Sequence, residues 1–169
     1  MAGSGLLRYH PRVDEAINRR LDTVCERVVA HFGERLLGIA LFGSRARGDA
    51  RSESDLDLFV VASGLHPKAA QRFVPLYDAE LPLLPPGPPI SLLLRTPEEF
   101  LADVAPLDLD LALDGRVLFE RDAFLTRHLR RLNELIAEAG LVRNADLFWK
   151  WKTPPSRRDW AITWEGVRK

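Results

Sequence analysis

Two aspartates, Asp55 and Asp57, stand at the head of one apolar run, ten residues behind the Gly43-Ser44 pair that closes another. Side chains two apart on a strand share a face, with Cα atoms roughly 6.5–7 Å apart. Both carboxylates can therefore converge on one divalent cation. Gly43 lets the backbone approach a ligand closely, and Ser44 can cap a helix whose free N–H groups meet phosphate. Together these parts suit a metal-bound nucleotide. Each half also has an ordinary reading, since a Gly-Ser is usually a turn and a DxD usually faces solvent. The strand argues against the second. Its acidic face runs on into Phe59 and Val61, while Leu56, Leu58 and Val60 fill the other. Acids at the mouth of a doubly buried strand need compensation by metal, by arginine or by altered ionisation.

Arg45, Arg47 and Arg51 lie among small residues just past the turn. Exposed arginines usually serve solubility, but their closeness to the turn makes at least one a candidate triphosphate contact. Arg45, one residue past the turn, is the best placed.

The elements that must carry these residues follow from periodicity. Leu36–Phe42 reads as a first strand, apolar on both faces and therefore central. Residues 56–61 form a second strand and Ile90–Arg95 a third. A helix starts at Pro11, carries Val13, Ile17, Leu21, Val24 and Val28 at spacings of four and three, and stops at Gly33. Residues 1–10 read as loose. Residues 66–80 read as helical with Pro75 as a kink, and 81–89, with five prolines, as an extended connector. Thr96, Pro97 and Glu99 spell a helix start with a capping box.

Residues 106–114, PLDLDLALD, alternate like a strand, yet Val104, Leu107 and Leu111 also fit a helical face. No glycine-rich turn precedes this second DxD, so Asp108 and Asp110 read as surface charge. A helix over 121–139 ends at Gly140, with His128 on its apolar side as a packing residue. Between Trp149 and Trp164 lie all four tryptophans, interleaved with Lys150, Lys152, Arg157 and Arg158. Such a tail can stack bases, form a lid or a partner surface, or dock on the domain.

Length and composition set the frame. At 169 residues the chain suits one domain with a small appendage. With 24 basic and 24 acidic residues there is no excess charge for a large nucleic-acid surface. The lone Cys25 has no disulfide partner and reads as a packing residue. No secretory leader pattern and no membrane-length apolar run is present, so the expected address is a reducing cytoplasm.

Gly43-Ser44, ten residues, then Asp55-x-Asp57 resembles the signature of the DNA polymerase β nucleotidyltransferase superfamily, most closely its minimal nucleotidyltransferases. The likeness covers about residues 10–120 and is strongest over 36–61. It implies an α/β nucleotidyltransferase fold, a small mixed sheet packed with helices over 1–120. The C-terminal helix and Trp-rich basic tail over 121–169 would be an addition. It favours a helix for 106–114, leading to a strand Arg116–Glu120.

It further implies transfer of a nucleoside monophosphate, AMP from ATP, to an acceptor hydroxyl. Asp55 and Asp57 would hold Mg²⁺ or Mn²⁺; Gly43 and Ser44 would hold the β and γ phosphates, with Arg45 assisting. A HEPN-type protein is the implied partner, in a toxin–antitoxin pair, and nucleic acid at the tail is less favoured. Members carry a third acid on a neighbouring strand, and here that position reads as Ser91, neither a strong metal ligand nor a base at neutral pH. The alternative is therefore a nucleotidyltransferase-fold module that binds a nucleotide, a protein or a nucleic acid and has lost transfer.

Overall fold

The apolar runs become the central strands of one sheet. The structure, a computed structural model, describes residues 5–6, 15–72, 76, 84, 86–154 and 161–168. Strands β1 (Gly5–Leu6), β2 (Leu36–Phe42), β3 (Leu56–Ala62), β4 (Ile90–Arg95) and β5 (Arg116–Glu120) form a mixed sheet in the order β1-β5-β2-β3-β4. The β3–β4 pair is parallel and the other neighbours are antiparallel. A parallel pair needs a long crossover, and residues 63–89 supply it. The second, third and fourth of these strands fix the site end of the sheet. There β2 finishes while β3 and β4 begin.

Both faces of β2 and β3 are covered. Helix α1 (Glu15–Phe32) lays Leu21, Val24, Cys25 and Val28 on one face, against Ile39, Leu41, Leu58, Val60 and Leu92. The opposite face packs Ala40, Phe59 and Val61 under three helices: α3 (Pro97–Ala102), α4 (Pro106–Asp114) and α5 (Phe124–Ala139). Gly38 makes that approach possible, because a Cβ there would fall 2.5 Å from the Leu125 side chain of α5. This is an α/β fold, a small mixed sheet with helices packed on both faces. Among the described residues no helix is long and apolar enough to cross a membrane.

Several expectations hold in detail. Gly33, with φ of 54°, ends α1, and Gly140, with φ of 69°, ends α5. The capping box of α3 forms: Glu99 N–H donates to Thr96 Oγ1 at 3.2 Å, and Thr96 N–H donates to Glu99 Oε2 at 3.0 Å. Cys25 is buried and its thiol is pushed up to about 12, by burial first and then by Asp22 and Glu26. It is a packing residue, not a reactive one. His128 lies between the rings of Phe100, Phe124 and Trp164, with Nδ1 2.7 Å from the Phe124 carbonyl.

Others are corrected. Gly5–Leu6 within the supposedly loose start pairs with Phe119 and Glu120 as an edge strand. Helix α5 begins at Phe124, because Asp122 and Ala123 adopt positive φ. Within 66–80 the described residues, 66–72 and 76, show a 3₁₀ turn, Ala69–Gln71, and a helical Leu76; residues 73–75 and 77–80, Pro75 included, lie outside the described residues, as does the proposed start of α1.

The second DxD is not surface charge. On a helix, residues two apart point in different directions. Asp108 is fully buried, accepts the Ala105 N–H at 2.8 Å, and pairs with Arg95 at 2.9 Å. Asp110 accepts from Arg143 at 3.0 Å and from the Trp149 indole N–H at 2.9 Å.

The tail docks. It forms two small hairpins, β6 (Leu141–Arg143) with β7 (Trp149–Trp151) and β8 (Ala161–Thr163) with β9 (Gly166–Arg168). Trp149, Trp151, Ile162, Trp164 and Val167 pack on the core under α4 and α5. Trp160 lies outside the described residues.

Candidate active site

The site is built where β2 stops. Phe42 pairs with Asp57, and the next residue, Gly43, turns with φ of 71° into α2 (Gly43–Arg47). A Cβ on Gly43 would lie 2.2 Å from Asp57 Oδ2. Only glycine lets this turn and this carboxylate share the space. Gly48, with φ of 85°, closes α2 by donating to the Ser44 carbonyl at 2.9 Å, and Asp49 N–H reaches the same oxygen at 3.1 Å. Arg116 on β5 donates to the Ala46 carbonyl at 3.0 Å and ties α2 to the sheet.

The second wall is the head of β3. Leu56 N–H donates to the Pro89 carbonyl at 2.8 Å, which sets the β3–β4 register. Asp57 then stands directly beside Ser91 on the parallel neighbour, where the third acid was sought. Asp57 is half-buried, and burial pushes its carboxyl above the usual carboxylate range. The Ser91 hydroxyl donates to it and opposes that rise, the like charge of Asp55 adds to it, and Arg47 opposes it. Asp55 is exposed, at the end of the loop. Arg47 pairs with Asp49 at 3.1 Å.

Arg45, expected beside the triphosphate, is 7 % exposed. Its Nε donates to the Ser54 carbonyl at 2.9 Å, and one Nη donates to the carbonyls of Ser54, Ser52 and Arg51 at 2.6, 3.2 and 3.4 Å. Sequence spacing put Arg45 near the turn but gave no sign of this use, which depends on how the loop folds back.

Gly43, Ser44, Asp55, Asp57 and Ser91 thus lie at one end of the sheet. Two carboxylates, one of them losing hydration with a like charge nearby, suit a hard divalent cation, which would offset both effects. Among the described residues no group of three or more His, Cys, Asp or Glu side chains could hold a metal by itself. The donor set fits Mg²⁺ arriving with a triphosphate, since this ion keeps water and phosphate oxygens in its shell.

The nucleotidyltransferase domain family matches residues 21–139. A Methanocaldococcus jannaschii protein, named as a candidate protein adenylyltransferase, is 32% identical over 125 residues, covering 73% of this chain and 85% of that one. Among solved structures, a candidate nucleotidyltransferase from Sulfolobus solfataricus is 21% identical with a TM-score of 0.43, over 68% of this chain and 95% of that chain. A tri-AMPylated Shewanella oneidensis HEPN toxin in complex with an MNT antitoxin is matched at 16% identity and a TM-score of 0.37, over 70% of this chain and 91% of that chain.

Proposed function

The chain belongs to the nucleotidyltransferase domain family, and from that premise we propose that it transfers AMP from ATP to a hydroxyl group of a protein. Transfer of a nucleotidyl group follows from the family. The base, the metal and the acceptor are our reading. One observation carries it: the Gly43 turn and the Asp57 carboxylate are built against each other, with Asp55 beside them. That arrangement joins a place for phosphate to a place for a cation. The protein acceptor is supported by the name of the relative that is 32% identical. A HEPN-type protein is the partner we propose, on the resemblance of the signature, and the cytoplasm is the proposed address.

In this scheme Asp55 and Asp57 hold Mg²⁺ or Mn²⁺. The ion would neutralise charge on the triphosphate and on the leaving pyrophosphate. Backbone N–H groups at Gly43 and Ser44 take the β and γ phosphates. Ser91 keeps Asp57 oriented and ionised by donating a hydrogen bond to it. The acceptor hydroxyl attacks the α-phosphorus, the bond to the pyrophosphate oxygen breaks with its electron pair leaving on the pyrophosphate, and the hydroxyl proton passes to solvent water.

Ser91 favours a second reading. A serine in the third-acid position is no base at neutral pH, so a module that binds nucleotide without transferring it is the alternative. Incubation with α-labelled ATP, Mg²⁺ and cell lysate separates the two. Transfer labels a protein band, and Asp55→Asn with Asp57→Asn abolishes that label. A parent that binds the nucleotide but labels nothing is a binding module.

A further inference from the structure

Asp55 is an exposed residue just outside β3, yet its backbone is held on both sides. The peptide unit after it carries the Leu56 N–H, which donates to the Pro89 carbonyl at 2.8 Å. The unit before it carries the Ser54 carbonyl, which receives two bonds from Arg45, at 2.6 and 2.9 Å. A peptide unit is planar, so fixing these two units limits the backbone rotations of the residue between them. Arg45 sits in α2, two residues past Gly43. It therefore joins the turn assigned to phosphate to the loop that carries an acid assigned to metal.

We infer that Arg45 is a positioning residue that acts through Asp55, clamping the 51–54 loop to the Gly43-Ser44 turn so that both halves of the site form together. This rests on the reading above. The residue type fits the task. A planar guanidinium spreads donors over several carbonyls, whereas a lysine ammonium concentrates them at one point. Arg45 is buried, and a buried charge must be satisfied; the carbonyls of Arg51, Ser52 and Ser54 satisfy it. The loop has only a few bonds of its own: Ser54 N–H to the Arg51 carbonyl at 3.2 Å, Arg51 N–H to Ser54 Oγ at 2.9 Å, and the Ser52 hydroxyl to Glu53 Oε2 at 2.7 Å. Without the clamp the loop retains its turn but loses its anchor to α2.

The experiment uses the full chain and Arg45→Lys, with Arg45→Gln as a second variant. Two readouts do not require transfer: amide hydrogen exchange over residues 51–56, and Mn²⁺ affinity in the presence of ATP, followed by electron paramagnetic resonance. In Arg45→Lys, exchange over 51–56 should rise about tenfold while β2 and residues 57–62 of β3 keep their protection. Mn²⁺ affinity should fall about tenfold, and ATP binding without metal should not change. Introduced into Asp55→Asn, the same substitution should cost nothing more, because residues acting through one another are not additive.

The inference is overturned by unchanged exchange over 51–56, by protection lost across β2 and the rest of β3 as well, or by an additive loss in the double variant. Equal weakening of metal-free ATP would also overturn it, in favour of direct phosphate contact. A parent that labels no protein overturns the transfer reading alone, since loop exchange and the Mn²⁺ coupling would still support the clamp.

Discussion

Ser91 and Asp57 stand side by side across the parallel strand pair, and their chemistry yields two tests. Ser91→Asp puts a third carboxylate where a base can reach the acceptor. General-base assistance is worth about 10²–10⁴-fold, so labelling should rise measurably. Without metal the variant should melt lower, and Mg²⁺ should stabilise it more than the parent. Lower stability with no added Mg²⁺ response would show that position 91 faces away from the cation. The second test concerns pH. The Asp57 carboxyl is raised, chiefly by burial, so it takes up a proton above the usual carboxylate range. Metal-dependent nucleotide binding should therefore fall on the acid side earlier than an ordinary aspartate allows. Ser91→Ala removes a lowering influence and should move that limb further up, which calorimetry across pH would detect. The stability sign is opposite: protonation favours the folded state, so the contribution of Asp57 improves as pH falls through its raised value. These positions were legible because strand alternation fixes which side chains share a face. The use made of Arg45 was not, since loop carbonyls follow no period.

Helix α3 and the stretch preceding β4 meet through one buried arginine. Arg72 donates to both oxygens of Glu99 at 2.6 Å, and to the carbonyls of His66 and Leu94 at 2.7 and 3.1 Å. The guanidinium hydrogen bonds hold the Glu99 carboxyl at about 2, against an ordinary value of 4.5. A depressed pKa stabilises the fold above the unfolded value, and that stability disappears as pH falls through the folded value. The melting-temperature gap between the parent and Glu99→Gln should thus be full above pH 4.5 and close towards about pH 2. The Glu99 side chain is 44% exposed, so solvent screening keeps the gap modest. Asp108 is the sharper case at this scale. Its removal leaves Arg95, whose side chain is 21% exposed, without its carboxylate and leaves the start of α4 uncapped. Asp108→Ala should cost about 3 kcal/mol, the low end for breaking a buried pair, measured by urea unfolding. Alternation made 106–114 ambiguous on paper. The helix prevails because Asp108 turns back onto the Ala105 N–H, a contact that polarity alone does not signal.

Across the whole chain, the sheet separates two cores, and the tail belongs to one of them. Strand periodicity announced β2 to β4, since doubly covered strands read as continuous apolar runs, whereas β5 was expected from the family resemblance alone. The hairpins of the tail were illegible: strands of three residues carry no usable period, and aromatics alternating with bases fit several fates. The chain pattern over residues 1–140 predicts a domain that folds by itself. The packing adds that this domain is weaker alone. Trp164 lies edge-on to Phe100 at 5.3 Å between ring centroids and to His128 at 5.5 Å, and Phe100 is fully buried. Trp164→Ala should cost about 2–3 kcal/mol, just below the range for a fully buried aromatic because the indole is half-buried. Truncation after Gly140 removes that contact together with Trp149, Trp151 and Ile162. Hydrogen exchange on the truncated chain should then show α5 losing protection while α1 and its face of the sheet keep theirs. Equal protection on both faces would make the tail a loosely held surface, free for a partner. Loss of protection on both would mean that the second core holds the sheet together, and that the domain does not end at residue 140.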